Sequence, residues 1–187
     1  MKLDESSTTS GKGTPLPGLR GVDHIGITVP DMEQATAFFV EVLGCELLYE
    51  REPPADDTPR DRLGVPEGSR IEAVRFLRCA NGANIELFEF YSPEQREEFP
   101  RPNDVGIQHL ALYVDDLDAA VAHLRRHNVN LMSGPNPLPG PEAGEGNRFI
   151  YARTPWGLTV ELISYPAPMS YTESSDARRW RPMPTDA

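Results

Sequence analysis

The chain has 187 residues, 39% hydrophobic and 25% charged, so it is long enough for a domain with an apolar core and is neither disordered nor fibrous. Its 18 Lys and Arg against 29 Asp and Glu give a net charge of −11, which argues against nucleic acid as a partner. No apolar run is long enough to span a membrane, and the first residues do not resemble a secretion signal. We therefore expect a cytoplasmic protein with no membrane partner, in which Cys45 and Cys79 are reduced thiols.

The two halves of the chain repeat each other. DHIGITVPDMEQATAFF aligns without a gap with QHLALYVDDLDAAVAHL, and GANIELFEFY aligns with GLTVELISYP. The second pair is closer together in the sequence because the first copy carries a polar insertion, REPPADDTPRDRLGVPEGS. We predict one domain of two modules between two tails, with bounds 1–20 (tail), 21–166 (domain), 21–93 (module one), 105–166 (module two) and 167–187 (tail).

Each copy is predicted to fold as a strand, a helix and three strands. HIGITV and HLALYV are typical of strands, and the Pro30-Asp31 and Asp115-Asp116 pairs that follow them are suited to start helices. Short strands at CELLYE and NLMSG come next. IEAVRFLR and NIELFEF form a hairpin predicted to turn at Asn81-Gly82, and RFIYAR and LTVELIS are its counterpart. The expected class is α+β, with two βαβββ modules forming a cupped mixed sheet around a metal site.

Four side chains occupy equivalent positions in the two copies: His24 and His109 in the first strands, Glu86 and Glu161 in the last. Because alternate strand residues share a face, all four are predicted to lie on the face away from the helix. Carboxylates buried there need a compensating charge, and imidazole and carboxylate ligands suit Zn, Ni, Co, Mn or Fe(II). The alternative, ordinary half-buried histidines and edge glutamates, is less favoured because the pattern occurs twice.

This doubled pattern resembles the vicinal oxygen chelate superfamily, which includes glyoxalase I, methylmalonyl-CoA epimerase, extradiol dioxygenases, and fosfomycin- and bleomycin-resistance proteins. The resemblance covers about residues 21–166 and implies a homodimer whose metal ligands are His24, Glu86, His109 and Glu161. The dioxygenases and fosfomycin enzymes are less similar, since they have no carboxylate at the place of Glu86, and bleomycin-binding members lack all the ligands. TPWGLTVELISYP looks like the branch that includes 2-epi-5-epi-valiolone epimerase, an enzyme of cyclitol biosynthesis.

Two carboxylates on a Lewis-acidic metal favour proton abstraction next to a carbonyl group. The predicted protein is therefore a metal-dependent isomerase or epimerase of a small oxygenated substrate, such as a keto-cyclitol or a sugar-like compound. Glu161 and Glu86 are predicted to alternate as ligand and base, with the order left open. The alternatives are a glyoxalase I-type lyase that needs a thiol, an extradiol dioxygenase and a non-catalytic drug-binding protein.

Three further residues are candidate substrate contacts: Tyr113, Glu72 and Arg148. Strand alternation places Tyr113 on the same face as the predicted metal ligands. For Glu72, an exposed or ion-paired strand residue is the favoured alternative. The C-terminal tail contains an aromatic and basic cluster around Trp180. This cluster folds over the body, docks on a second subunit, or stays loose.

Overall fold

The first module is a four-stranded mixed sheet with a helix on one face. In this computed structural model, which describes residues 16–53, 62–96 and 98–183, its elements are β1 (His24–Val29), α1 (Met32–Ala37) continued by a π-helical turn (Phe38–Val42), β2 (Glu46–Arg51), β3 (Arg70–Arg78) and β4 (Asn84–Tyr91). The strand order is β1-β4-β3-β2, with β1 parallel to β4 and the other pairs antiparallel. Parts of both predicted tails and of the insertion lie outside the described residues: 1–15, 54–61 and 184–187.

The second module repeats this arrangement. Its elements are β5 (Leu110–Tyr113), α2 (Leu117–Arg126), β6 (Asn130–Leu131), β7 (Asn136–Pro137), β8 (Arg148–Arg153) and β9 (Thr159–Ser164), with short 3₁₀ helices at Gly140–Glu142 and Ser170–Glu173. The strand order is β5-β9-β8-β6, β7 also pairs with β8, and β5 is parallel to β9. The α+β class and the two-module organisation are confirmed. Within the described ranges each module contributes one mixed sheet, and β1 and β5 are edge strands of these two sheets.

Both helices begin where the sequence predicts them. The carboxylates of Asp31 and Asp116 each accept a hydrogen bond of 2.9 Å from the backbone N–H three residues later, which caps the helix start. Gly44, with a φ of +73°, follows the first helix, and Asn128, with a φ of +55°, follows the second. No helix in the described part of the chain is long and apolar enough to cross a membrane.

The turn between β3 and β4 differs from the prediction. The strand pairing stops at Arg78 and Asn84, so the connection spans five residues rather than a two-residue turn at Asn81-Gly82. The positive φ, +49°, falls on Ala80, and the Gly82 N–H donates to the Cys79 carbonyl at 3.0 Å.

The prediction of two reduced thiols is wrong, because Cys45 and Cys79 form a disulfide. The register of β2 and β3 explains this pairing. Glu46 pairs with Arg78, so the next position along the two strands brings Cys45 and Cys79 together, with their Cα atoms 4.6 Å apart. The spacing of the cysteines in the sequence carries no signal for this contact, which depends on the strand register.

Replacing Cys45 and Cys79 by alanine is expected to lower the free energy of unfolding by about 2–4 kcal/mol. The disulfide joins residues 34 positions apart in the sequence, so it restricts the unfolded chain. Urea unfolding of the wild type and the double variant measures the difference. With a thiol reductant the wild type should approach the variant, whereas equal stability without reductant would contradict the prediction.

The two modules pack against each other through the helical sides of their sheets. Phe39, in the core of module one, lies against Trp156 in the β8–β9 loop, with ring centroids 6.1 Å apart. Val42 packs into the core around Leu124, and its carbonyl accepts a hydrogen bond of 2.7 Å from Nε2 of His123. This contact therefore does not use the helix-distal faces, meaning the sheet faces opposite the helices.

Candidate functional site

Half-site one consists of His24 and Glu86 on the helix-distal face of the first sheet. They lie on the neighbouring parallel strands β1 and β4, where Glu86 pairs with Gly26, two residues after His24. The strand alternation therefore places both side chains on one face, and Nε2 of His24 lies 3.3 Å from Oε2 of Glu86. The ring of Phe76, from β3, packs edge-on against His24 at 5.4 Å between centroids.

Half-site two consists of His109 and Glu161 at the equivalent place in the second module. His109 directly precedes β5, and Glu161 lies in β9, which is parallel to β5. Nε2 of His109 is 2.9 Å from Oε2 of Glu161. The Glu161 side chain is only 10% exposed, compared with 20% for Glu86, so the second carboxylate has less access to water.

Each histidine is oriented by the side chain that precedes it. Nδ1 of His24 lies 2.7 Å from a carboxylate oxygen of Asp23, and Nδ1 of His109 bonds to Oε1 of Gln108. Both partners are acceptors, so Nδ1 donates to them, and Nε2 faces a carboxylate oxygen of the glutamate. A lone pair and a carboxylate oxygen repel each other at this distance unless a proton or a cation lies between them. Asp23 and Gln108 were missed by the sequence reasoning, although each directly precedes a predicted ligand.

The electrostatics of both half-sites favour a bound positive charge. Burial raises the pKa of Glu161, and the charge of Glu142 adds to this, while His109 and Arg179 act in the opposite direction. The hydrogen bond to Asp23 raises the pKa of His24, and the negative charge of Glu86 also contributes. Both shifts favour the form that holds a proton, and a metal ion in the same place supplies the same compensation.

The two half-sites do not meet in a single chain. Among residues 16–53, 62–96 and 98–183, no group of three or more His, Cys, Asp and Glu side chains is close enough to hold a metal ion. In the described part of one chain the four predicted ligands therefore form two separate pairs, and their role as metal ligands stays a prediction. The physical reason is the packing of the modules through their helical sides, which does not bring the helix-distal faces together.

Two of the candidate substrate contacts lie away from both half-sites. Glu72 is exposed at a bulge in β3, and its carboxylate lies 2.5 Å from Nε of Arg70. Arg148 makes two hydrogen bonds, 2.8 and 3.2 Å, to the carboxylate of Asp118 on α2. Tyr151 pairs with Glu161 and so lies on the helix-distal face, which places Arg148, three residues earlier in β8, on the helical side of the sheet. The structure thus does not support its predicted role in binding substrate.

Tyr113 shares the helix-distal face with half-site two, but the C-terminal segment, residues 169–183, covers it. The Tyr113 hydroxyl bonds to Arg181, whose guanidinium lies 4.9 Å from the centre of the Tyr113 ring. Met169 is buried in a cluster with Ile163. Of the three alternatives for the tail, folding over the body is the one observed for this segment. The aromatic and basic cluster was the signal for it in the sequence.

The same segment supplies a positive charge near half-site two. Nη1 of Arg179 lies 2.6 Å from Oε1 of Glu142, and its charge also acts on Glu161. The backbone N–H of Arg179 donates to the Tyr171 hydroxyl at 2.8 Å. The C-terminal segment therefore contributes to the environment of the Glu161 carboxylate.

A cavity of about 690 Å³ lies between the modules rather than at either half-site. Its walls include Ile25, Ile85 and Leu162, whose side chains are on the helical side, together with the disulfide. Neither Glu86 nor Glu161 lines it. Tyr113 and Arg179 also line it, so this cavity borders the face that carries half-site two.

Comparison with known proteins agrees with this architecture. Residues 23–151, more than half of the chain, match the Glyoxalase/Bleomycin resistance protein/Dioxygenase superfamily. A 2-epi-5-epi-valiolone epimerase from Actinomyces sp. is 38% identical over 173 residues, covering 91% of this chain and 93% of the relative. A mitochondrial methylmalonyl-CoA epimerase from Bos taurus is 27% identical over 157 residues, covering 83% of this chain and 80% of the relative.

Solved structures support the fold. A glyoxalase family protein from Enterococcus faecalis superimposes with a TM-score of 0.57 at 20% identity, covering 77% of this chain and 97% of that protein. The family itself is shown by the match over residues 23–151 and by the 38% identity of the Actinomyces relative. The chain belongs to the Glyoxalase/Bleomycin resistance protein/Dioxygenase superfamily, the vicinal oxygen chelate superfamily that its doubled pattern resembles.

Proposed function

We propose that the chain is a divalent-metal-dependent epimerase or isomerase that removes a proton next to a carbonyl group of a small oxygenated substrate, a keto-cyclitol or a sugar-like compound. The observation that carries the proposal is the His–Glu pair that recurs in both modules, each with the histidine Nδ1 held by the preceding residue. The epimerases among the relatives support the same reaction class.

The donor atoms fit a divalent cation. His24, Glu86, His109 and Glu161 would hold it through two imidazole nitrogens and two carboxylate oxygens, a set that suits Zn, Ni, Co, Mn or Fe(II). The acceptors at Nδ1 keep both Nε2 atoms available, which is the usual outer-shell arrangement for histidine ligands. When bound, such an ion polarises the substrate carbonyl and stabilises the negative charge that develops on its oxygen.

A second copy of the chain is proposed to complete each site. One copy has two donors in each half-site, but its own half-sites do not meet. In a symmetric dimer, half-site one of each copy faces half-site two of the other, which creates two equivalent sites. The packing between the modules of one chain does not use the helix-distal faces, and the C-terminal segment, which lies over Tyr113 beside half-site two, would form part of this contact.

The two glutamates carry the proton transfer in this proposal. One carboxylate takes the proton from the carbon next to the carbonyl group, and the other returns a proton to the opposite side of the same carbon. Glu86 and Glu161 belong to different modules, so they approach a bound substrate from different directions. Return to the opposite side inverts the carbon, which is an epimerisation.

Solvent exchange tests this function. Metal-loaded protein is incubated in deuterated water with 2-epi-5-epi-valiolone, the compound in the name of the Actinomyces relative, and with 2-keto-myo-inositol. We expect deuterium at the carbon next to the carbonyl group, detected by mass spectrometry and NMR, and loss of this uptake with a chelator.

Other outcomes would overturn the proposal. Activity on the glutathione adduct of methylglyoxal, without exchange in the cyclitols, would favour a lyase. Oxygen consumption with a catechol and Fe(II) would favour a dioxygenase. Exchange that persists unchanged after complete removal of metal would contradict the metal dependence.

A further inference from the structure

A pocket of about 520 Å³ lies on the helix-distal face of the first sheet, beside half-site one. Its floor includes Phe88, which is two residues beyond Glu86 on β4 and on the same face, about 6.6 Å farther along the strand. Phe90 lies two residues farther along β4 on the same face, and its ring stacks on Phe88 with ring centroids 5.7 Å apart. The pocket thus continues the surface that carries the half-site.

The described end of the insertion in module one forms one wall of this pocket. Leu63, Val65 and Pro66 line it, and the hydroxyl of Ser69 donates to the hydroxyl of Ser92 at 2.9 Å, which ties the insertion to the end of β4. In module two the equivalent connection, residues 132–147, contains β7 and a 3₁₀ helix instead. The pocket is therefore a property of module one.

The polar groups of the pocket are neutral or negative. Hydroxyls come from Thr28, Ser69 and Ser92, and the rim carries the amide of Gln95 and the carboxylate of Glu94. None of the described residues that line it is Lys, Arg or His. A phosphate group bound by these described lining residues would meet no positive charge among them and would face the carboxylate of Glu94 in a chain of net charge −11.

We propose that this pocket binds the ring of a neutral, polyhydroxylated substrate and excludes phosphorylated sugars and coenzyme A thioesters. The apolar C–H face of such a ring packs on Phe88 and Phe90, while its hydroxyls pair with Thr28, Ser69 and Ser92. This orientation directs the rest of the ring toward Glu86. The inference rests on the proposed function only for the position of the reacting carbon, and the binding itself requires no reaction.

Calorimetric titration with three probes tests the proposal: 2-keto-myo-inositol, glucose 6-phosphate and acetyl-CoA, each with and without a chelator. The wild type is expected to bind the keto-inositol and neither anion measurably. Phe90→Ala is expected to weaken keto-inositol binding about tenfold because the ring contact is lost. Tyr91→Ala is the matched control, since Tyr91 is the next residue on β4 and lies outside the pocket, stacked under Arg70.

A second variant changes only the charge at the rim of the pocket, so its effect on binding does not depend on how the aromatic side chains pack. Glu94 is exposed, so Glu94→Arg is expected to fold normally and to bind glucose 6-phosphate measurably where the wild type does not, because a cation then faces the phosphate. Unchanged anion binding in Glu94→Arg, together with unchanged keto-inositol binding in Phe90→Ala, would overturn the pocket assignment. So would acetyl-CoA binding to the wild type.

The two proposals fail in different ways. Keto-inositol binding that depends on Phe90, without deuterium exchange in any cyclitol, supports the pocket and removes the epimerase function. Exchange whose KM does not change in Phe90→Ala supports the function and removes the pocket.

Discussion

Glu161→Gln is expected to reduce deuterium exchange into the substrate about 10³-fold, the size of effect that follows the loss of a positioned base. The amide keeps the shape of the side chain but cannot take up the substrate proton, and it is a poorer metal ligand than a carboxylate. Exchange rates of metal-saturated wild type and variant, measured by mass spectrometry, give the ratio. Metal content is measured in parallel, so that loss of the base and loss of the metal are told apart.

The matched control is Glu89→Gln, which makes the same chemical change on β4 but at the parity opposite to that of Glu86. It should exchange deuterium within about twofold of the wild type, because Glu89 lies on the face of β4 opposite to Glu86 and away from the proposed site. If Glu161→Gln retained more than about a tenth of the wild-type rate, Glu161 would be neither base nor ligand.

The stability of the metal-free variant provides a second, independent readout. Burial raises the pKa of Glu161, so its charged form is destabilised in the folded protein. This unfavourable contribution is fully present above the raised pKa, declines as the pH falls from that value to the ordinary carboxyl pKa, and is absent below it. At pH 7 without metal, Glu161→Gln should therefore melt at a temperature no lower than that of the wild type. A clearly lower melting temperature would mean that the carboxylate stabilises the fold.

The second large effect is expected from mixing two inactive variants. His24→Ala damages half-site one and His109→Ala damages half-site two, so each pure dimer has no intact site if the sites form between copies. A mixed dimer has one site with both defects and one with none. Equal mixing should therefore restore about one quarter of the wild-type metal content, because half of the dimers are mixed and each has one intact site.

The measurement is the metal content of the two variants refolded together from urea, compared with each variant refolded alone. Two different affinity tags establish that mixed dimers have formed. No recovery in verified mixed dimers would show that each chain completes its own site. A monomeric mass for the metal-loaded wild type would overturn the two-copy proposal directly.

The strand parity and the duplication together were sufficient to predict both His–Glu pairs. Glu86 and Glu161 each lie on a strand parallel to the one that their histidine begins or precedes, so local alternation decides their face. The same reasoning did not find that Arg148 bonds to Asp118. The partner of a long side chain depends on which helix packs against its strand, and the spacing of residues in the sequence does not reveal that packing. Nor did it find Asp23 and Gln108, since a residue adjacent to a histidine reaches Nδ1 only through its rotamer.

The sequence by itself determined the two modules, the helix starts at Asp31 and Asp116, and the faces of the four proposed ligands. These features depend on short-range alternation, capping and the pairing of neighbouring strands. Only the tertiary structure decided that Cys45 meets Cys79, that the C-terminal segment covers the face around Glu161, and that the modules join through their helical sides. These contacts depend on which apolar surfaces pack together over long distances, and a hydrophobic pattern does not specify its partner.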